Sequence, residues 1–378
     1  MSMKAIVLVL DSFGIGGAHD AAAFGDEGSN TYLAISHGIN VPILVQMGLN
    51  NIDKVSVLPK CDNPIASFGR MVEKSVGKDT TTGHFELMGL VTDRPYPTYP
   101  NGFGEEIIKQ LVKAWNVGGV LGNKSASGTQ IINELGKEHL KSGYPIVYTS
   151  ADSVLQIACH DSIYPIERLY DMCKIARHVM CGENNVARII ARPFSTNSKG
   201  EFYRTADRKD FGLVPSQKTT LNKLQESGVQ TFGIGKINDI FSGYGIDKHV
   251  VAHTNEEVIN ATIDTIKQND NCFIFSNLVD FDMLYGHRND VEGYRKCLEY
   301  FDRRLPELVQ AMDLGDLLII TADHGCDPST PSTDHSRENV PLLVYQKSCK
   351  NSINLGEIIG FDWVGNKVEE FFDICQNK

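Results

Sequence analysis

Six side chains in this sequence have the types and positions to hold divalent cations. Asp11 ends an apolar run, Ala5–Leu10. The segment V-D-F-D-M-L-Y-G-H supplies Asp282 and His287, T-A-D-H-G supplies Asp323 and His324, and S-T-D-H-S-R-E supplies His335. Three aspartates and three histidines form a mixed oxygen and nitrogen donor set, suited to two cations of the manganese, zinc or magnesium kind. Singly, each has an ordinary explanation. An Asp after a strand is usually a turn residue or a helix cap, and His335 alone reads as an ordinary surface or core histidine. Asp280 is as good a local candidate as Asp282. The weight lies in the combination: D-x4-H, then D-H-G, then a histidine eleven residues after His324, each beside a strand end or in a loop. Such a set performs phosphoryl or sulfuryl transfer, with two cations clamping the attacking and leaving oxygens.

A carrier for the transferred group stands in G-K-D-T-T-T-G-H-F-E-L-M-G, residues 77–89. A threonine hydroxyl is a weak nucleophile that a divalent cation would acidify. The residues after it could open a helix whose first amides face a phosphate. Equally, the threonines could serve only as caps of that helix. Residue chemistry leaves Thr80, Thr81 and Thr82 level, and the role of His84 open.

These residues need a scaffold that brings distant segments together. Ala5–Leu10, Asn271–Leu278, Asp316–Thr321 and Val340–Tyr345 read as buried strands, the first three followed directly by candidate ligands. Val291–Met312 has helical spacing, and a closing helix is expected from about Gly356. Alternating strands and helices predict an α/β core with a mostly parallel sheet, ligands collecting at the carboxyl ends of its strands. The middle differs. Pro95, Pro97 and Pro100 break the chain. Helical patterns then fall at Glu105–Trp115, Gly128–Leu140 and Ile166–Met180, with short strands at Ile146–Thr149, Val154–Ala158 and Val186–Ala191. Residues 98–212 are therefore expected to form an inserted α+β cap, between 1–97 and 213–378 of a discontinuous catalytic core. V-Q-T-F-G-I-G at 229–235 reads as the returning core strand.

Composition sets outer limits. The 378 residues carry a net charge of -11, with 42% hydrophobic and 22% charged residues. That is ordinary for a soluble globular protein and argues against bulk nucleic-acid binding, which needs basic surface. A small phosphorylated substrate stays compatible, because bound cations invert the local sign. Nine cysteines without a C-x-x-C pair fit a reducing cytoplasm better than a disulfide framework. The N-terminal apolar run is too short for a signal peptide or a membrane span. Oligomeric state is not legible.

The ordered set D-S-x-G-I-G, D-T-x-T-G-H, V-D-F-D-x-x-Y-G-H-R, T-A-D-H-G and T-D-H-x-R-E-x-V-P-L resembles the phosphopentomutases of the alkaline phosphatase superfamily, from Met3 to about Phe372. The resemblance implies an alkaline-phosphatase-like core and a cytoplasmic isomerase. It would interconvert ribose or deoxyribose 1- and 5-phosphates through a phosphothreonine and a bisphosphorylated sugar, with a sugar bisphosphate as activator. It implies one cation, usually manganese, at Asp11, Asp323 and His324 beside the carrier, which it identifies as Thr80. The other cation falls to Asp282, His287 and His335. For the substrate it implies Asp152 on the sugar hydroxyls, Arg192 and Arg204 at the distal phosphate, and Lys236 from the core side. The cap would keep water from the phosphothreonine. Rivals with the same cage are a metallophosphatase, a sulfatase (which needs Cys or Ser where threonine stands) and a cofactor-independent phosphoglycerate mutase. A non-enzymatic phosphosugar or metal-binding module is a fourth. Tyr32-Leu33-Ala34 and Asn289 depart from the family pattern, away from the cage.

Overall fold

The apolar runs form strands where nothing polar interrupts them. The structure, a computed structural model, describes residues 3–150, 153–349 and 351–374. Strands β1 (Lys4–Leu10) and β2 (Ser67–Val72) precede the middle segment. Within it lie β3 (Leu121–Ser125), β4 (Ile146–Thr149), β5 (Val154–His160), β6 (Arg188–Thr196), β7 (Phe202–Arg204) and β8 (Lys209–Gly212). After it come β9 (Gln230–Ile234), β10 (Lys248–Val250), β11 (Cys272–Leu278), β12 (Leu317–Thr321), β13 (Val340–Tyr345) and β14 (Asn354–Ile359). The chain forms two compact units, Met1–Arg94 with Pro215–Lys378, and Pro95–Val214.

The first unit is built on one sheet in the order β10-β9-β11-β1-β12-β13-β2-β14. Every pairing is parallel except those of β13, which runs against both β12 and β2. β1 is buried along its whole length, as a strand covered on both faces must be. Its register does the positioning. Leu10 lies beside Leu278 and Val9 beside Thr321, so β1, β11 and β12 end together and Asp11 falls level with Asp323. Helices Asn255–Gln268 and Val291–Ala311 flank the sheet, the second burying Tyr294, Leu298, Phe301, Leu305 and Leu308.

The C-terminus departs from the expected helix at Gly356. Asn354–Ile359 is an edge strand parallel to β2, and the helix starts only at Asp362. Gly356 at φ +67° and Gly360 at φ +106° occupy left-handed positions that interrupt helical geometry. The second unit has its own six-stranded mixed sheet, β3-β4-β5-β6-β7 with β8 on β6. One face packs Trp115, Leu155, Met172 and Ile189, the other Ile131, Tyr148 and Phe194. Among the described residues no helix is long and apolar enough to cross a membrane.

Candidate active site

The carboxyl ends of β1, β11 and β12 converge three buried carboxylates. Asp11 and Asp323 have no exposed surface and Asp282 has 4%. His324 Nε2 lies 3.6 Å from Asp11 Oδ1 and 3.3 Å from Asp323 Oδ2. His287 Nε2 lies 3.3 Å and His335 Nε2 3.4 Å from the Asp282 carboxylate, and the two nitrogens are 3.2 Å apart. Potential ligand atoms of Asp11, Asp323 and His324 all lie within 4.8 Å of one another, as do those of Asp282, His324 and His335. All six cage residues are thus together. The first trio is buried, whereas the His287 side chain is 40% exposed.

Local structure explains the spacing. In an α-helix residues five apart point about 140° away from each other. Here Phe281–Tyr285 is a π-helical turn followed by a 3-10 turn at Gly286–Arg288, which bring Asp282 and His287 to one side. Asp280 turns elsewhere. Its Oδ2 accepts from Asn255 N–H at 2.7 Å and its own N–H donates to Asn255 Oδ1, tying the end of β11 to the start of the preceding helix, Asn255–Gln268. Ser12 takes a left-handed φ of 75°, and its N–H donates to Asp323 Oδ1 at 3.1 Å.

Thr80 opens the helix Thr80–Leu87. The cap of that helix is Asp79, whose carboxylate accepts from the N–H groups of Thr81 and Thr82 and from Thr82 Oγ1. The threonines are therefore not the cap. Thr80 Oγ1 instead lies 3.1 Å from His324 Nε2. His324 Nδ1 faces the Gly325 carbonyl at 3.0 Å; donating there leaves Nε2 with its lone pair toward the threonine. Gly83 lets the helix come this close: a Cβ there would stand 2.2 Å from the Asp323 carbonyl oxygen.

The electrostatics are those of a cation cradle. Asp11 Oδ1, Asp282 Oδ1 and Asp323 Oδ2 are buried and receive no well-aligned hydrogen bond, although imidazole nitrogens stand 3.6, 3.4 and 3.0 Å away. Buried anionic oxygens left open are costly unless a positive charge meets them. Burial, then the charges of Asp323 and Asp282, push the Asp11 carboxyl up to about 7. Burial also opposes ionisation of Asp282, but His335 and His287 outweigh it and hold that carboxyl well below the usual range. Asp323 is likewise held low against its burial, by His324 and His84. The hydrogen bond to Asp282, then that to Cys326, raises His287 to about 11, so a proton supplies positive charge where a cation would. The donor set fits divalent cations, with ligand atoms converging in the trios Asp11–Asp323–His324, Asp282–His324–His335 and Asp282–His287–Cys326.

The roles of several supporting residues were not legible in the sequence. Asn277 Nδ2 donates to Asp11 Oδ2 at 3.0 Å and lies 3.2 Å from His84 Nε2. His84 Nδ1 lies 3.0 Å from Asp323 Oδ2 and 2.9 Å from the Thr80 carbonyl. The fully buried His84 therefore links the threonine helix to a candidate ligand. Arg337 is 3% exposed and holds the approach to Thr80, donating to Glu73 Oε2 and to the carbonyls of Glu73, Ser75 and Gly77. T-D-H-S-R-E displays Arg337, but nothing in that string shows its partners.

Of the substrate candidates, Asp152 lies outside the described residues. Lys236 is half-buried after β9, and its charge bears on Asp11. In the second unit Arg192 donates to Gln156 Oε1 at 3.0 Å, and Arg204 to Thr129 Oγ1 at 2.7 Å. Both act electrostatically on the Tyr148 hydroxyl, which is buried without a hydrogen-bond partner; Arg208, missed in the sequence, acts on it too. A Cβ on Gly128, the first residue of the helix Gly128–Ser142, would stand 2.7 Å from that hydroxyl and 3.4 Å from Arg204 Nη1. The Arg204 guanidinium and an unpartnered hydroxyl beside a helix N-terminus are suited to an anion.

Residues 3–374 match the metalloenzyme superfamily. The chain is 52% identical over 377 residues to a phosphopentomutase of Acetivibrio thermocellus, covering 99% of this chain and 97% of the relative. It is likewise 52% identical over 377 residues to a phosphopentomutase of Caldanaerobacter subterraneus subsp. tengcongensis, covering 99% and 95%. Among solved structures, the PH0037 protein from Pyrococcus horikoshii shares the fold, with a TM-score of 0.52 at 12% identity over 100% of this chain and 99% of that one. The ordered cage, the sheet that assembles it and identity across nearly the whole length place this chain in the phosphopentomutase family of the metalloenzyme superfamily.

Proposed function

We propose that the chain is an isomerase that interconverts pentose 1- and 5-phosphates, with Thr80 as the phosphoryl carrier. The observation that carries this reading is the 3.1 Å approach of Thr80 Oγ1 to His324 Nε2, at the head of a helix whose cap is supplied by another residue. Two divalent cations, manganese by family resemblance, would supply Lewis acidity at the transferred phosphoryl group when held by Asp11, Asp323 and His324 and by Asp282, His287 and His335.

The residues of the chain do the rest. Asp79 fixes the first helical turn, so Thr80 presents its oxygen in one direction. His84 and Asn277 hold Asp323 and Asp11 in register across the sheet ends. Phosphate on Thr80 passes to the free hydroxyl of a pentose monophosphate. The bisphosphate turns, and Thr80 accepts the other phosphate, so each cycle ends with the carrier loaded. A sugar bisphosphate would load the empty carrier. Arg192, Arg204 and Tyr148 are read as a phosphate-binding cluster, with Asp152 and Lys236 as further substrate contacts by family resemblance. The cysteine content supports a cytoplasmic setting.

The test is product analysis with ribose 1-phosphate. The mutase reading expects ribose 5-phosphate with almost no inorganic phosphate. Stoichiometric phosphate release instead would make the chain a phosphatase on the same cage.

A further inference from the structure

The cation site read at Asp282, His287 and His335 has a neighbour of a different chemical kind. Cys326 follows directly on D-H-G and is 1% exposed. Its sulfur lies within 4.8 Å of ligand atoms of both Asp282 and His287. The surrounding chain holds it there. A Cβ on Gly286, the residue before His287, would stand 3.0 Å from Cys326 Sγ, so the absence of a side chain admits the sulfur. Cys326 N–H donates to Thr31 Oγ1 at 3.1 Å, and Sγ is 3.5 Å from the carbonyl oxygen of Asp334, the residue before His335. The sulfur is thus enclosed by the segments that present the other donors. The Asp282 carboxylate near it is buried, and its Oδ1 receives no well-aligned hydrogen bond, His335 Nε2 standing 3.4 Å away.

We propose that Cys326 is a sulfur ligand at this site, which fits the site to thiophilic cations such as zinc, cadmium and cobalt(II) as well as oxygen-seeking ones. The proposal rests on reading Asp282, His287 and His335 as a cation site. Asp282, His287 and Cys326 bring a carboxylate, an imidazole and a thiol together, donors of the kinds that zinc takes, and sulfur shifts selectivity toward soft cations. On coordination the Cys326 S–H bond breaks, the sulfur keeps the electron pair and donates it to the cation, and the proton leaves to water.

Cobalt(II) added to the full-length chain after chelation tests this by spectrum, independently of turnover. A cobalt(II) site of low symmetry gives visible ligand-field bands, and a thiolate ligand adds an intense near-ultraviolet charge-transfer band. The wild type is expected to show both, and Cys326→Ser and Cys326→Ala only the ligand-field bands. Cadmium affinity should fall about tenfold or more in these variants, with manganese affinity changed less than about twofold. Ligand-field bands without charge transfer in the wild type would overturn the sulfur ligand and leave cation binding by the cage standing. A charge-transfer band that persists in both variants would assign it to another cysteine and overturn the proposal. Absence of any cobalt(II) spectrum would overturn the reading of the cation site itself.

Discussion

Asp11 makes the cation-free chain sensitive to pH. Its carboxyl moves from an ordinary 3.8 to about 7 through burial and the neighbouring carboxylates. Between those values the native chain holds a proton that the unfolded chain has lost, so this group makes stability fall as pH rises from about 4 to about 7. A divalent cation replaces the proton and removes the loss. Manganese should therefore raise the melting temperature more at about pH 8 than at about pH 5.5; equal shifts in thermal melts would contradict this. Arg337 acts on structure rather than charge balance alone. It is paired with Glu73 at 2.5 Å, both side chains being at most 3% exposed. Arg337→Met strands that carboxylate and should cost about 3–5 kcal/mol in urea unfolding, part of it recovered by adding Glu73→Gln. A loss under about 1 kcal/mol would show that the pair does not anchor the approach to Thr80. The six cage residues were legible because each stands in a short string next to an apolar run. The contacts of Ser12, His84 and Asn277 were not, because each touches a segment more than about two hundred positions away, which local spacing does not encode.

Elements explain how those residues meet. Ending β1, β11 and β12 at one level is a property of parallel register, and the sequence displayed it as apolar runs stopped by aspartates. β2 was invisible to the same reading. S-F-G-R-M-V contains a glycine and a buried arginine, and Arg70 is satisfied by Glu357 on the neighbouring edge strand and by the Asp53 carbonyl. That edge strand, half exposed and interrupted by a left-handed glycine, lacks the alternation that would have marked it. The helix of Thr80 offers a direct test of close approach. Gly83→Ala places a Cβ 2.2 Å from the Asp323 carbonyl oxygen and must push the helix away from the cage. A displacement of about 1 Å at the reacting oxygen should lower kcat by about a hundredfold. Gly315→Ala, which meets open space, should leave kcat unchanged. Equal rates for the two variants would contradict the close approach as the requirement.

The whole molecule joins two units, each with its own sheet and core. The cage residues all belong to the first, so cations bind one unit and should stabilise that unit by mass action. Calorimetry with and without chelator should show the transition of the first unit shifting while that of the second stays in place. A shift of both by the same amount would mean that they unfold as one. The inserted segment was legible in its helices and its apolar strands. Its strands β3, β7 and β8 were not, since three to five residues with few apolar positions carry no periodicity. The central claim is that Thr80 carries the phosphate. Intact-protein mass spectrometry with site mapping, after incubation with manganese and ribose 1,5-bisphosphate, tests it most directly. The account predicts a single added phosphate on Thr80, lost in Thr80→Ala together with mutase activity, by at least about a thousandfold. Phosphate at wild-type level on the Thr80→Ala chain, or mapped to Thr81 or Thr82, would contradict it.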